Sequence, residues 1–325
     1  MHPTPRPRAR PEADGGLGIH QPGDLRGVRR FSHEAMATIF EVYAVHADEG
    51  YAAQAAQAAF DLTDQLEREL SRFVSNSDIT RINHLHSGES TRVSASTLEC
   101  LVIARHIFDL TGRAFDISIG TGLPGLELDP GELLVRATRD GVQIDLGGVG
   151  KGYAVDRMAE LLEEWGVATA LVHGGFSSVV ALEPPAGLDG WPLTLSHPRD
   201  PSRVLARLSA RQTALGASGL KKGDHIKDPR TGGPVRGRVA AWVAVPRPEA
   251  ARADTPPADG LRIAPGAVTD ALTTAFMLLS VDDIEALCEH SPGLEAWILP
   301  TPAGEPPGNA ELLHFGGRGG FRLEV

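Results

Sequence analysis

The chain has 325 residues, of which 42% are hydrophobic and 5% aromatic, enough to bury a substantial core as one large domain with two interleaved lobes. Its formal net charge of −11 argues against general nucleic-acid binding, which relies on a basic face. No apolar run approaches the length that spans a bilayer. Cys100 and Cys288 lie in apolar helical patterns without metal-ligand spacing, and read as buried thiols, not as a disulfide framework.

Residues 1–30 are rich in Pro, Arg and Gly, with neither a secretory apolar stretch nor a lipid-anchoring cysteine. They predict a disordered leader ahead of a single domain over 31–325, and a cytoplasmic location. Ala37–Val45 predicts a strand and Tyr51–Leu70 a long helix with an alanine-rich face. A polar loop, Ser71–Ile79, leads on to a helix over Ser94–Thr111 that Gly112 ends. Phe115–Ile119 and Gly141–Leu146 have the composition of short strands. After Gly152, apolar residues recur at helical spacing from Tyr153 to Trp165, and Gly166 stands where a C-terminal glycine cap belongs. Ala168–Val172 and Ser177–Leu182 read as strands joined by His173-Gly174-Gly175-Phe176, and Trp191–Ser196, Val204–Ser209 and Val239–Val245 as three more. Ala214–Pro234 reads as a functional loop and Pro246–Pro265 as a flexible excursion. Helices over Asp270–Leu279 and Ile284–His290 and a strand over Glu295–Leu299 follow. Strands and helices mix without a strict β-α-β rhythm, so the fold class is α+β, with mixed sheets flanked by helices.

Four glycines within six residues mark Asp145-Leu146-Gly147-Gly148-Val149-Gly150-Lys151-Gly152. Such a loop at a helix N-terminus can turn backbone N–H groups toward a phosphate, or can simply be a tight turn. It is not a P-loop, since Gly152 stands where Ser or Thr must follow the lysine, and the dinucleotide G-x-G-x-x-G spacing fails as well. Lys151 can pair with phosphate or with a nearby carboxylate. Asp270, Thr273 and Thr274 open a helix, with Asp270 and Thr274 on one face. A carboxylate plus hydroxyls suits Mg²⁺, while an aspartate at that place can equally cap the helix. His225, close to Asp228 and Arg230, can serve as a general base or belong to a solvated turn. Asp116 is a lone acid in an apolar stretch, which calls for a partner or a ligand.

In order along the chain, these blocks resemble the ApbE-type FAD:protein FMN transferase family. The matching pieces are Met36-Ala37-Thr38, Leu70-Ser71-Arg72-Phe73 with Ser77 to Asn83, and Phe115 to Gly120, followed by Asp145 to Asp156, His173-Gly174-Gly175 and Ala217-Ser218-Gly219. His225 to Gly232 and Asp270 to Ala275 complete the set. The resemblance implies an ApbE-like fold with the flavin nucleotide in a cleft between sheets and helices. It implies FAD as substrate, Mg²⁺ as cofactor, and transfer of FMN to a Thr or Ser of an acceptor flavoprotein with release of AMP. An FAD pyrophosphatase or a non-catalytic flavin binder are the alternatives. On this resemblance Asp270, Thr273 and Thr274 with the Gly148 carbonyl hold the metal. Met36, Phe73, Ala114, Phe115, Asp116, Asp145, Lys151 and Ile226 contact the nucleotide, and His225 is the base. The chain departs from the common pattern at Ala217, where Thr is usual, at His173, where Asn is frequent, and at Thr273, where some members carry a second acid.

Overall fold

A computed structural model of the chain describes residues 16–19, 25, 27–220, 226–247, 264–301, 311–317 and 323–324. Strands β1 (Leu17–Ile19), β2 (Arg29–Ala35) and β3 (Thr38–Ala44) precede α1 (Glu49–Leu70), α2 (Asp78–Ile82), β4 (Ser90–Arg92) and α3 (Ala95–Leu110). Then come β5 (Leu126–Asp129), β6 (Leu134–Ala137), α4 (Gly150–Glu164), β7 (Ala170–Gly174), β8 (Ser178–Ala181) and β9 (Trp191–His197). The remainder is β10 (Asp200–Ala210), β11 (Thr213–Gly219), β12 (Arg238–Pro246), α5 (Pro265–Phe276), α6 (Val281–His290), β13 (Glu295–Pro300), β14 (Leu313–Phe315) and β15 (Leu323–Glu324).

Strands with unbroken apolar runs need cover on both faces. In β12, Ala241 and Val243 join one core while Ala240, Trp242 and Ala244 join another. In β7 and β8, Val172 and Val180 face the first core, and Leu171, Val179 and Ala181 the second. These strands belong to an eight-stranded antiparallel sheet ordered β14-β13-β12-β11-β8-β7-β3-β2. Helices α1, α3, α4 and α5 contribute to the first core, on one face. A four-stranded sheet, β1-β9-β10-β15, supplies Leu17, Leu193, Leu195, Ala206 and Leu208 to the second. The result is three layers, helices on sheet on sheet, an α+β arrangement. Cys100 and Cys288 are both buried free thiols. Among the described residues no helix is long and apolar enough to cross a membrane.

The predicted helices and most strands form, with α1 capped by Asp48 and α4 ended at Gly166, whose φ is +73°. Five readings are corrected. Residues 141–146 form no strand: their backbone bonds go to the Asn83 side chain, the Thr121 hydroxyl and the Ile117 carbonyl instead of to a ladder. Phe115–Ile119 is likewise a turn, which Asp116 organises by accepting from the Ser118 and Gly120 amides. Ala214–Gly219, the start of the stretch read as loop, belongs to strand β11, because its small residues let α5 lie directly on it. A Cβ on Gly216 would sit 2.7 Å from the Thr269 backbone. Helix α5 begins at Pro265, so Asp270 lies in its second turn and cannot be its cap. Within residues 1–30, Leu17–Ile19 is ordered as β1 against β9, and Leu17 is buried. Most of Pro246–Pro265 and all of His225 lie outside the described residues.

Candidate active site

Neither α4 nor α5 has a side-chain cap of its own. Each helix is capped by a carboxylate from the other. Asp156 of α4 accepts from the Gly266 and Ala267 amides at 2.9 and 3.0 Å, in the first turn of α5. Asp270 of α5 accepts from the Gly152 amide at 2.7 Å, in the first turn of α4. The exchange requires the backbones to touch, and they do. A Cβ on Gly152 would lie 2.0 Å from the Gly266 carbonyl oxygen, so no larger residue fits.

Asp270 receives a further hydrogen bond from the Ser178 hydroxyl, 2.7 Å from Oδ1 and 3.0 Å from Oδ2. Burial pushes its carboxyl up to about 6, against the opposing pull of the Lys151 ammonium and of the Ser178 and Gly152 hydrogen bonds. Thr273 donates to the Asp270 carbonyl at 2.9 Å and accepts from Ser218 at 3.0 Å, tying β11 to α5. Thr274 is half-buried, its hydroxyl 3.7 Å from where a Gly148 Cβ would stand.

These groups line a cleft of about 530 Å³. Gly148, Lys151, Asp270, Thr273 and Thr274 stand on its wall with Ala114, Phe115, Asp116, Asp145 and Ile226. The ring of Phe115 packs on Gly148, where a Cβ would come within 3.1 Å of the ring edge, so glycine keeps the loop and the ring in contact. Asp145 accepts from the Gly147 amide at 2.9 Å and pairs with Arg72 Nε at 3.1 Å. Met36 and Phe73 line an adjoining hollow of about 370 Å³ that shares Asp145, Gly147 and Lys151 with the cleft. Phe73 is 83% exposed with the Arg72 guanidinium 4.7 Å from its ring centre, and Met36 holds a left-handed φ of +48° in the β2–β3 turn. Every described residue of the predicted site therefore borders this cleft or its extension.

The sequence reading misses Ser178, and it gives no role to Arg72 and Asp156, which it meets only inside the matching blocks. Ser178 carries a signal, since it occupies a helix-facing position of β8 where Val180 and the rest of the core pattern are apolar. Asp156, on the buried face of an amphipathic helix, carries another.

No group of three or more His, Cys, Asp or Glu able to hold a metal occurs among the described residues. Beside Asp270 the cleft wall carries the Thr273 and Thr274 hydroxyls, and a carboxylate with hydroxyl oxygens suits a hard divalent cation that also takes ligand from phosphate and water.

A model of the ApbE family matches residues 36–123 and 121–256. The FAD:protein FMN transferase of Klebsiella pneumoniae is 25% identical over 269 residues, covering 68% of this chain and 74% of that protein. That of Salmonella typhimurium is 26% identical over 266 residues, with the same coverage of each chain. The apo crystal structure of the Pseudomonas stutzeri flavinyl transferase ApbE superimposes with a TM-score of 0.72 at 21% identity, over 89% of this chain and 94% of that one.

Proposed function

Since this chain belongs to the ApbE family of flavin transferases, we propose that it transfers FMN from FAD to a Thr or Ser hydroxyl of an acceptor flavoprotein and releases AMP. The observation that carries the reading is one continuous cleft, in which a glycine-rich helix N-terminus, Lys151 and a buried carboxylate, Asp270, face the same space.

In this reading the pyrophosphate lies at the N-terminus of α4, where the helix dipole and the Lys151 ammonium favour negative charge. Phe115, Asp116, Met36 and Phe73 contact the rest of the nucleotide along the cleft and its extension. Asp270, Thr274 and Thr273, with the Gly148 carbonyl, would hold Mg²⁺, which when bound offsets the charge that develops on the departing AMP. The acceptor oxygen bonds to the phosphorus of the FMN half as the bridging P–O bond breaks, and AMP leaves with the bridging oxygen. His225 takes the hydroxyl proton. Asp228, held by Arg230 at 2.9 Å, shapes the loop that follows it.

The test is AMP and FMN release from FAD and Mg²⁺, with and without a Thr-containing acceptor peptide. AMP only with peptide, and flavin mass on the peptide, is the expected result. Free FMN and AMP without peptide would make the protein a pyrophosphatase, and neither product would leave a flavin binder. His225→Ala is expected to block flavinylation with FAD affinity retained. Lost FAD affinity would instead make His225 a ligand contact.

A further inference from the structure

Ser178 opens β8 directly after the tight β7–β8 turn, in which Gly175 and Phe176 both have positive φ. It pairs in register with Gly216 of β11, the residue whose missing side chain lets α5 approach. The strand's alternation sends Val179 to the sheet-covered core and Val180 to the helix-covered one, so position 178 shares the helix-facing side with Val180. An apolar residue would satisfy packing there. The chain has instead a fully buried hydroxyl in contact with both oxygens of Asp270.

A carboxylate has about four acceptor positions. The Gly152 amide takes one on Oδ2, and the single Ser178 proton takes another, shared between Oδ1 at 2.7 Å and Oδ2 at 3.0 Å. Gly152 belongs to α4 and Ser178 to β8, so the carboxylate is gripped from two separate elements. Its plane is fixed, and the lone pairs left over belong to a residue that lines the cleft.

We infer, resting on the metal-site reading above, that Ser178 is a positioning residue that fixes the Asp270 carboxylate for a divalent cation in the cleft. Ser178 does not touch the cation. It sets the direction from which Asp270 meets it, as hydrogen-bonded partners of ligating carboxylates generally do.

The experiment is direct titration of the metal-free full chain with Mg²⁺ by calorimetry, and with Mn²⁺ by the loss of its free-ion spin-resonance signal, for the unaltered protein and for Ser178→Ala, Ser178→Thr and Asp270→Ala. Thermal melts verify folding of each. Ser178→Ala is expected to weaken cation binding by about 10- to 100-fold, and Ser178→Thr, which restores the hydroxyl, to recover most of it. In turnover assays the Mg²⁺ concentration for half-maximal rate should rise in Ser178→Ala, with kcat largely regained at saturating Mg²⁺. If Asp270→Ala binds the cation as the unaltered protein does, the metal-site reading fails and this inference with it. If Asp270→Ala loses the cation while Ser178→Ala keeps full affinity, the metal-site reading stands and the role of Ser178 is overturned. Loss in Ser178→Ala that Ser178→Thr does not recover also overturns it, since the effect would then belong to packing and not to the hydroxyl.

Discussion

Asp156 and Asp270 are the two halves of one device, yet they differ in what surrounds them. Both are buried carboxylates, and each caps the first turn of the opposite helix. Asp156 commits both oxygens to the Gly266 and Ala267 amides and lines neither the cleft nor the hollow that adjoins it. Asp270 gives one oxygen to the Gly152 amide, shares the Ser178 proton, and borders the cleft beside Lys151. The same physics of orphan helix amides produces a sealed structural joint in one place and part of the cleft wall in the other. What separates them is access to the cleft.

Substitution at each member should separate chemistry from stability. Asp270→Ala is expected to cut Mg²⁺-dependent AMP release by roughly 10³-fold or more, the scale of several kcal/mol of lost transition-state charge stabilisation, with the fold retained. Retained activity would remove Asp270 from the metal site. Asp156→Ala should do the reverse, costing about 2–5 kcal/mol of stability by urea titration, because two buried amides lose their acceptor, while the affinity for Mg²⁺ stays near that of the unaltered protein. A matching loss of Mg²⁺ affinity would show that the two caps act as one unit.

Gly152→Ala probes the contact they share. The added methyl would meet the Gly266 carbonyl at 2.0 Å, and backbone cannot turn aside as a flexible side chain can. A stability loss of about 3 kcal/mol is expected, with a smaller fall in Mg²⁺ affinity as the Gly152 amide moves off Asp270. An unchanged melting temperature would mean that α4 and α5 can separate freely.

Elements whose stability is written locally are legible in the sequence. The alanine face of α1, the Ser94 cap of α3 and the apolar runs of β7 and β8 each encode their own structure. Elements that depend on a distant partner are not. Strand β11 reads as a loop because its Gly, Ala and Ser composition answers to the helix above it. Residues 141–146 read as a strand, yet their partners are the Asn83 and Thr121 side chains and the Ile117 carbonyl. Strand β1 hides in a Pro- and Arg-rich stretch because only its pairing with β9 makes it a strand. The cleft residues are reached through ordered family blocks. The signals at Ser178 and Asp156, which hold those blocks together, gain meaning only once the packing shows which polar residues face the core.

The subtlest test uses pH. Burial pushes the Asp156 carboxyl up to about 8, against the pull of the Gly266 and Ala267 amides and of Arg247, with Glu160 adding to the rise. A carboxyl whose folded pKa exceeds its unfolded one binds more protons in the folded state, so stability is greatest below the unfolded value near 4 and is lost as pH rises through 8. Asp156→Asn has no such proton to lose. Between pH 4 and 8 the unaltered protein should therefore lose stability relative to Asp156→Asn by up to about 1.4 kcal/mol per pH unit, and the difference between the two urea-denaturation curves cancels the other titrating groups. Parallel curves would mean that the α5 amides and Arg247 outweigh burial and keep Asp156 ionised. The sealed joint would then be an ionic cap, and only access to the cleft would distinguish it from Asp270.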